Sequence, residues 1–106
     1  VSSFQTTTDS ISFGKELSAM VGNKGFIIDT GRNGKGPSGA LWCNPPGRGL
    51  GKKPSAETGD PVVHAFYWVK RPGESDGNTS PCDSSAPKAG DWYQSYAEEL
   101  VKNAAY

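Results

Sequence analysis

Between Pro61 and Lys70 the chain reads PVVHAFYWVK. The run is almost continuously apolar, as in a parallel strand buried on both faces. Only one other stretch has strand character, GFIIDT at 25–30. Two strands make no closed sheet, and each would leave an open edge. The chain therefore reads as α/β, and as a sector of a larger parallel α/β barrel or sheet.

Helical patterns flank the two strands. DSISFGKELSAMVGN at 9–23 repeats Phe13, Leu17, Met20 and Val21 at helical spacing. Asp9 or Ser10 suits its N-cap, and Gly22-Asn23 suits its end. DWYQSYAEELVKNAAY at 91–106 places Tyr93, Tyr96, Ala97, Leu100 and Val101 on one stripe, with Asp91 at the cap position. Residues 31–61 have no period at all, and are rich in glycine and proline. A loop of that length in a compact protein is functional or disordered. Leu41, Trp42 and Cys43 in its middle argue against disorder.

Composition excludes several classes. The 106 residues hold 11 Lys or Arg and 11 Asp or Glu, so no basic stripe exists to neutralise nucleic-acid phosphates. No apolar run approaches the about 20 residues of a membrane span. Hydrophobic content is 34%, with 14 glycines and 8 prolines, which allows only a marginal core for an independent domain. Val1 opens directly into polar residues, which gives no secretory leader. The chain reads either as mature or as a cut from something longer. Cys43 and Cys82 lie 39 positions apart. Zinc would want closely paired ligands and more of them. A disulfide closing a long loop is the better reading, and it implies an oxidising, extracellular setting. The glycines of GRNGKGPSG lack the spacing of a phosphate loop and have no helix after them.

In parallel α/β folds, chemistry sits on loops at the carboxyl ends of strands. The first such loop begins at Asp29 and carries Arg32 and Trp42. The second begins at Lys70 and carries Glu74 and Asp76 in PGESDG. If the strands are neighbours, an indole, two cations and two acids converge on one face. That set suits a sugar: the indole stacks on a pyranose face and charged groups bridge hydroxyls. A carboxylate held by Arg or Lys stays ionised and can activate water. Turn chemistry offers the plainer alternative, in which Asp76 is a turn aspartate before Gly77 and Glu74 a solvated acid. Trp42 could equally plug its loop beside a disulfide. His64, inside an apolar run, reads as a strand residue rather than a base, and Trp68 and Trp92 read as core.

The segments FIIDTGRNGKGPSG, WCNPPGRGLG, TGDP, FYWVKRPGESDG and APKAGDWYQSYAEELVKNA resemble, in this order, the C-terminal part of glycoside hydrolase family 6. That family comprises endoglucanases and cellobiohydrolases that cut β-1,4-glucan with inversion. The resemblance implies that residues 1–106 are the C-terminal sector of a distorted seven-stranded parallel β/α barrel, part of a single catalytic domain. It matches Asp76 to the family's proposed catalytic base, and Arg32 and Lys70 to the cations paired with it. Lys70 and Glu74 match residues that hydrogen-bond the sugar, and Trp42 matches the platform beneath it. Cys43 and Cys82 match one of the family's disulfides. The family's catalytic acid belongs to the upstream part of the barrel, whose signature motifs this chain does not contain. His64 stands where members often carry an acid.

The implied activity is hydrolysis of cellulose or a related β-glucan by a secreted enzyme with no metal or organic cofactor. The implied partners are the glucan itself and the N-terminal part of the barrel. An inactive fragment that retains carbohydrate binding is the alternative, and a small disulfide-bonded secreted domain unrelated to sugar is a third. The short segment from Asn78 to Asp91 favours an open cleft and endo-type attack, because tunnel-forming members carry a longer insertion there.

Overall fold

The computed structural model describes residues 4–39 and 41–106. Its elements run helix, strand, strand, helix: α1 (Thr7–Met20), β1 (Phe26–Asp29), β2 (Val63–Tyr67) and α2 (Gln94–Lys102). The strands are parallel neighbours, with Ile27 opposite Ala65, Ile28 opposite Phe66 and Asp29 opposite Tyr67. Both are shorter than their apolar runs. The crossover between them contains no helix among the described residues, as its lack of period implies.

Helix α1 starts before the expected cap. Thr6 is its N-cap, with extended backbone, and its hydroxyl accepts the Asp9 N–H at 3.0 Å. Asp9 thus falls in the first turn, where a carboxylate suits the positive end of the helix dipole. The far end stops as expected. Gly22 and Asn23 take left-handed φ values of 79° and 60°, which these two residue types tolerate.

The apolar stripe of α1 does not face the sheet. Phe13, Leu17, Met20 and Val21 are all exposed, and the buried positions are Gly14 and Ser18. A Cβ at Gly14 would lie 2.3 Å from the Phe26 ring, so the helix approaches β1 only because nothing projects there. Close backbone approach, and not apolarity, decides which side of α1 meets this sheet.

The two faces of the sheet differ. On one, Ile28, Val63 and Phe66 form a buried cluster with Ile11 and Phe26 packed against it. On the other, Ile27 and Tyr67 are 52% and 55% exposed. Burial on both faces, expected from the apolar runs, is met here on one face only. The edges differ as well. Ser55 bridges Phe66 in antiparallel fashion, its N–H donating at 3.0 Å and its carbonyl accepting at 2.9 Å. Thus β2 has β1 on one edge and a single bridge on the other, while no described strand runs along the outer edge of β1.

A second cluster ties α2 to the loops. Leu50, Tyr96 and Leu100 are buried together, with Trp68 and Tyr93 packed against them. Leu50 N–H donates to the Leu100 carbonyl, and Leu50 accepts from Ala105 N–H. The helix begins at Gln94 with Tyr93 as its cap residue, so Asp91 is not the cap. Asp91 sits instead in the preceding turn, where its carbonyl accepts the Ser75 N–H at 2.8 Å. Trp92, read as core, is half-exposed, with one ring edge over Gly73. His64 is exposed on β2, its ring against Gly25. Cys43 and Cys82 are bonded, with Cα atoms 5.7 Å apart, and both are buried.

With α1's stripe, one sheet face and one strand edge uncovered, isolated residues 1–106 should melt broadly and bind a hydrophobic dye below the transition. Calorimetry of the monomer tests this, and a sharp two-state melt would contradict it. Thiol labelling without reductant should find neither cysteine reactive. Closing a loop of this length contributes about 4 kcal/mol in the chain-entropy treatment, so reductant should lower the unfolding midpoint. Two freely labelled thiols would overturn the cross-link.

Candidate functional site

The loops that leave β1 and β2 at their carboxyl ends meet at one carboxylate. Asp76 Oδ2 accepts from Arg32 Nη1 at 2.5 Å and from the Asn44 backbone N–H at 2.7 Å. Its Oδ1 accepts from the Lys70 ammonium. The side chains of Arg32 and Asp76 are 3% and 8% exposed, and that of Lys70 is 33% exposed. This is a nearly dry ion pair with one partner reaching toward solvent.

Each partner is itself fixed. The Arg32 guanidinium donates from Nε to the Pro72 carbonyl at 3.0 Å and from Nη2 to the Glu74 carbonyl at 2.7 Å. Its carbon lies 4.8 Å from the centroid of the Tyr96 ring, a cation–π contact from α2. The Tyr96 hydroxyl donates to the Pro45 carbonyl at 2.7 Å. Three segments of chain therefore converge on one guanidinium. A buried charge survives when it is paired and hydrogen-bonded, and Arg32 donates from Nε, Nη1 and Nη2.

The electrostatics of Asp76 follow from opposing causes. Burial alone raises its carboxyl. The Lys70 ammonium, the Asn44 N–H and the Arg32 guanidinium outweigh burial and hold it below the usual carboxylate range. Burial pushes the Tyr96 phenol up to about 12, with Arg32 opposing, so this ring is neutral at neutral pH, where the carboxylate is charged.

Arg32, Lys70 and Asp76 thus come together as the sequence led us to expect. Glu74 takes a different direction. Its backbone serves the Arg32 contact, but its carboxylate pairs with the exposed Arg71. Trp42 is 52% exposed, and its neighbour Cys43 is buried in the disulfide. Asn44, Ser75 and Tyr96 were not read as site residues. Buried Ser75 donates from Oγ to the Pro87 carbonyl at 2.7 Å. Asn44 has a left-handed φ of 43°. An Asn-Pro pair directly after a bridged cysteine was the available signal for a turn there.

A groove of about 380 Å³ lies away from this carboxylate, between α1 and β1, lined by Phe13, Leu17, Val21, Phe26 and Ile27 among others. Among the described residues no three His, Cys, Asp or Glu side chains are grouped to hold a metal. No described helix is long and apolar enough to cross a membrane.

Comparison with known proteins gives a consistent result. The chain is 47% identical over 105 residues to Endoglucanase A of Cellulomonas fimi, covering 99% of this chain and 22% of that protein. It is 46% identical over 96 residues to 1,4-beta-D-glucan cellobiohydrolase C of Emericella nidulans, covering 74% of this chain and 21% of the relative. The second alignment is longer than the part of this chain it covers, so that relative carries residues absent here. Among solved structures, the endoglucanase Cel6 from Mycobacterium tuberculosis, in complex with methyl-cellobiosyl-4-deoxy-4-thio-β-D-cellobioside, superposes with a TM-score of 0.86 at 42% identity. That match covers 97% of this chain and 35% of the other. The chain therefore spans less than a quarter of these curated relatives. The family model for glycosyl hydrolases family 6 matches residues 1–104, and the chain belongs to that family.

Proposed function

We propose that this chain is the C-terminal part of a secreted glucanase that hydrolyses β-1,4-glucosidic bonds with inversion and by endo-type attack. The observation that carries the reading is the Asp76 carboxylate, held ionised by Arg32 and Lys70 where two parallel strands end. Cello-oligosaccharide binding by the M. tuberculosis relative supports a glucan substrate.

In an inverting glycosidase one carboxylic acid protonates the leaving oxygen and one carboxylate activates water. The two stand about 6.5–9.5 Å apart to admit that water. Asp76 fills the second role. Oδ2 already accepts two hydrogen bonds and Oδ1 accepts one, from Lys70, so Oδ1 keeps a lone pair for the proton, delivered directly or through a bridging water. Lys70 is the partner with solvent exposure. Arg32 keeps the carboxylate charged throughout. Trp42 supplies an exposed indole for a pyranose face, and Glu74 reaches a hydroxyl by exchanging its contact with Arg71. The proton donor comes from the remainder of the domain, so this chain alone does not cut glucan.

The endo assignment rests on the segment from Asn78 to Asp91. Its backbone folds back on itself, with Cys82 N–H donating to Thr79 and Ala86 N–H to Asp83. Gly90 N–H and the Ser75 hydroxyl pin its far end to the 75–77 turn. A strap held at both ends has little slack to arch over a glucan chain.

Two measurements on the complete domain test the proposal. Asp76→Asn should lower kcat on cellotetraose by about 10²-fold or more, the usual range for a proton-transfer group. Because the folded carboxyl lies below its ordinary value near ~3.9, its ionised form, and the stability it brings, persist at neutral pH and fail only as pH falls through the depressed value. The acid limb of wild-type kcat set by this group should accordingly fall below about pH 4. An Asn variant with a rate within a few-fold of wild type would overturn the role. On a soluble substituted cellulose, viscosity should collapse while few reducing ends have appeared. Steady release of cellobiose at nearly constant viscosity would refute endo attack.

A further inference from the structure

Asn44 does more than close a turn beside the disulfide. Its backbone N–H donates to Asp76 Oδ2 at 2.7 Å, and its side-chain Oδ1 accepts the Asp76 backbone N–H at 2.8 Å. Its Nδ2 donates to the Gly77 carbonyl at 3.1 Å and to Ser75 Oγ at 3.3 Å. One residue of the first loop therefore grips both the backbone and the carboxylate of Asp76, along with both sequence neighbours. No other side chain can copy this set. A primary amide one methylene from the backbone offers an acceptor and two donors in one plane. The left-handed φ of 43° is also one that asparagine adopts more readily than most residues.

We propose that Asn44 is the positioning residue of Asp76, fixing the turn 75–77 so that the carboxylate meets Arg32 and Lys70 at a set angle. This deepens the role proposed for Asp76 and rests on it. Arg32 and Lys70 hold the carboxylate ionised, each through a bond to one of its oxygens. Asn44 bonds both the carboxylate and the backbone N–H of Asp76, on both sides of the residue's own Cα. The Cys43–Cys82 bridge, one residue before Asn44, keeps the two loops in this register. The groups facing the carboxylate are Arg32 from the loop after β1, Lys70 from the loop after β2 and the neutral Tyr96 from α2. None of them replaces the amide.

The test uses the complete domain and two variants. Asn44→Gly keeps the backbone N–H and the left-handed φ while deleting the amide, so it isolates the clamp from backbone strain. Asn44→Asp keeps shape and the Oδ1 acceptor, but removes both donors and sets a second negative charge near Asp76. Asn44→Gly should lower kcat on cellotetraose by about 10-fold or more, with KM within about 2-fold. The acid limb of the kcat–pH profile should move to higher pH, because a misaligned carboxylate loses donors that favour its charged form. Asn44→Asp should move that limb further, and it carries the test if the glycine variant does not fold. Acid limbs unmoved in both variants, or a glycine variant with wild-type kcat, would overturn the positioning role. If Asp76→Asn is itself fully active, the reading of Asp76 fails first, and the two failures are told apart.

Discussion

The contact between Arg32 and Asp76 joins the loops that follow the two strands at their carboxyl ends. Arg32 follows β1 and Asp76 follows β2, and both side chains are nearly dry. Neither charge could be left in that position alone, since an unpaired buried ion costs several kcal/mol. The pairing therefore has structural consequences well beyond two atoms. Arg32 draws in the Pro72 and Glu74 carbonyls, and Tyr96 closes over its face. The second loop, the first loop and α2 are all organised around one guanidinium. A carboxylate so held is a strong anion and a weak base. In the proposed reaction the proton goes to Oδ1, beside Lys70, the partner at the solvent boundary.

The remainder of the molecule is assembled in two halves that share little. Ile28, Val63 and Phe66 make one small core under α1, and Leu50, Tyr96 and Leu100 make the other under α2. The candidate site lies with the second. Uncovered apolar side chains lie on both halves, Phe13, Leu17 and Ile27 around α1 and β1, and Trp92 and Val101 at α2.

Much of this was legible in the residues. Two strands, their order, the absence of a crossover helix and the convergence of Arg32, Lys70 and Asp76 all follow from apolar runs and strand-end logic. The misreadings have physical causes. The Phe13–Leu17–Val21 stripe has the right spacing, but Gly14 alone permits the approach to Phe26. Periodicity identifies a helix; it does not name the surface the helix meets. Asp91 suits an N-cap by type, but its carbonyl is committed to Ser75 and the helix waits until Gln94. Asn44 was missed because its function lies in four hydrogen bonds to a turn about thirty residues away. No local pattern records a contact of that range. Trp92 shows the converse, an aromatic that composition places inside and geometry leaves half outside.

The Ser55 bridge has a consequence for how such a chain can go wrong. A strand with a free edge recruits another strand, and unlimited stacking needs a free edge on each side of the repeating unit. Here Ser55 occupies one side by pairing with Phe66. Among the described strands, β1 has the edge that carries no bridge. Two copies meeting through the same edge are related by a twofold axis, which makes their strands antiparallel and uses up both free edges at once. Edge-to-edge association of intact copies therefore stops at a pair, and fibril growth along the sheet would first require Ser55 to let go.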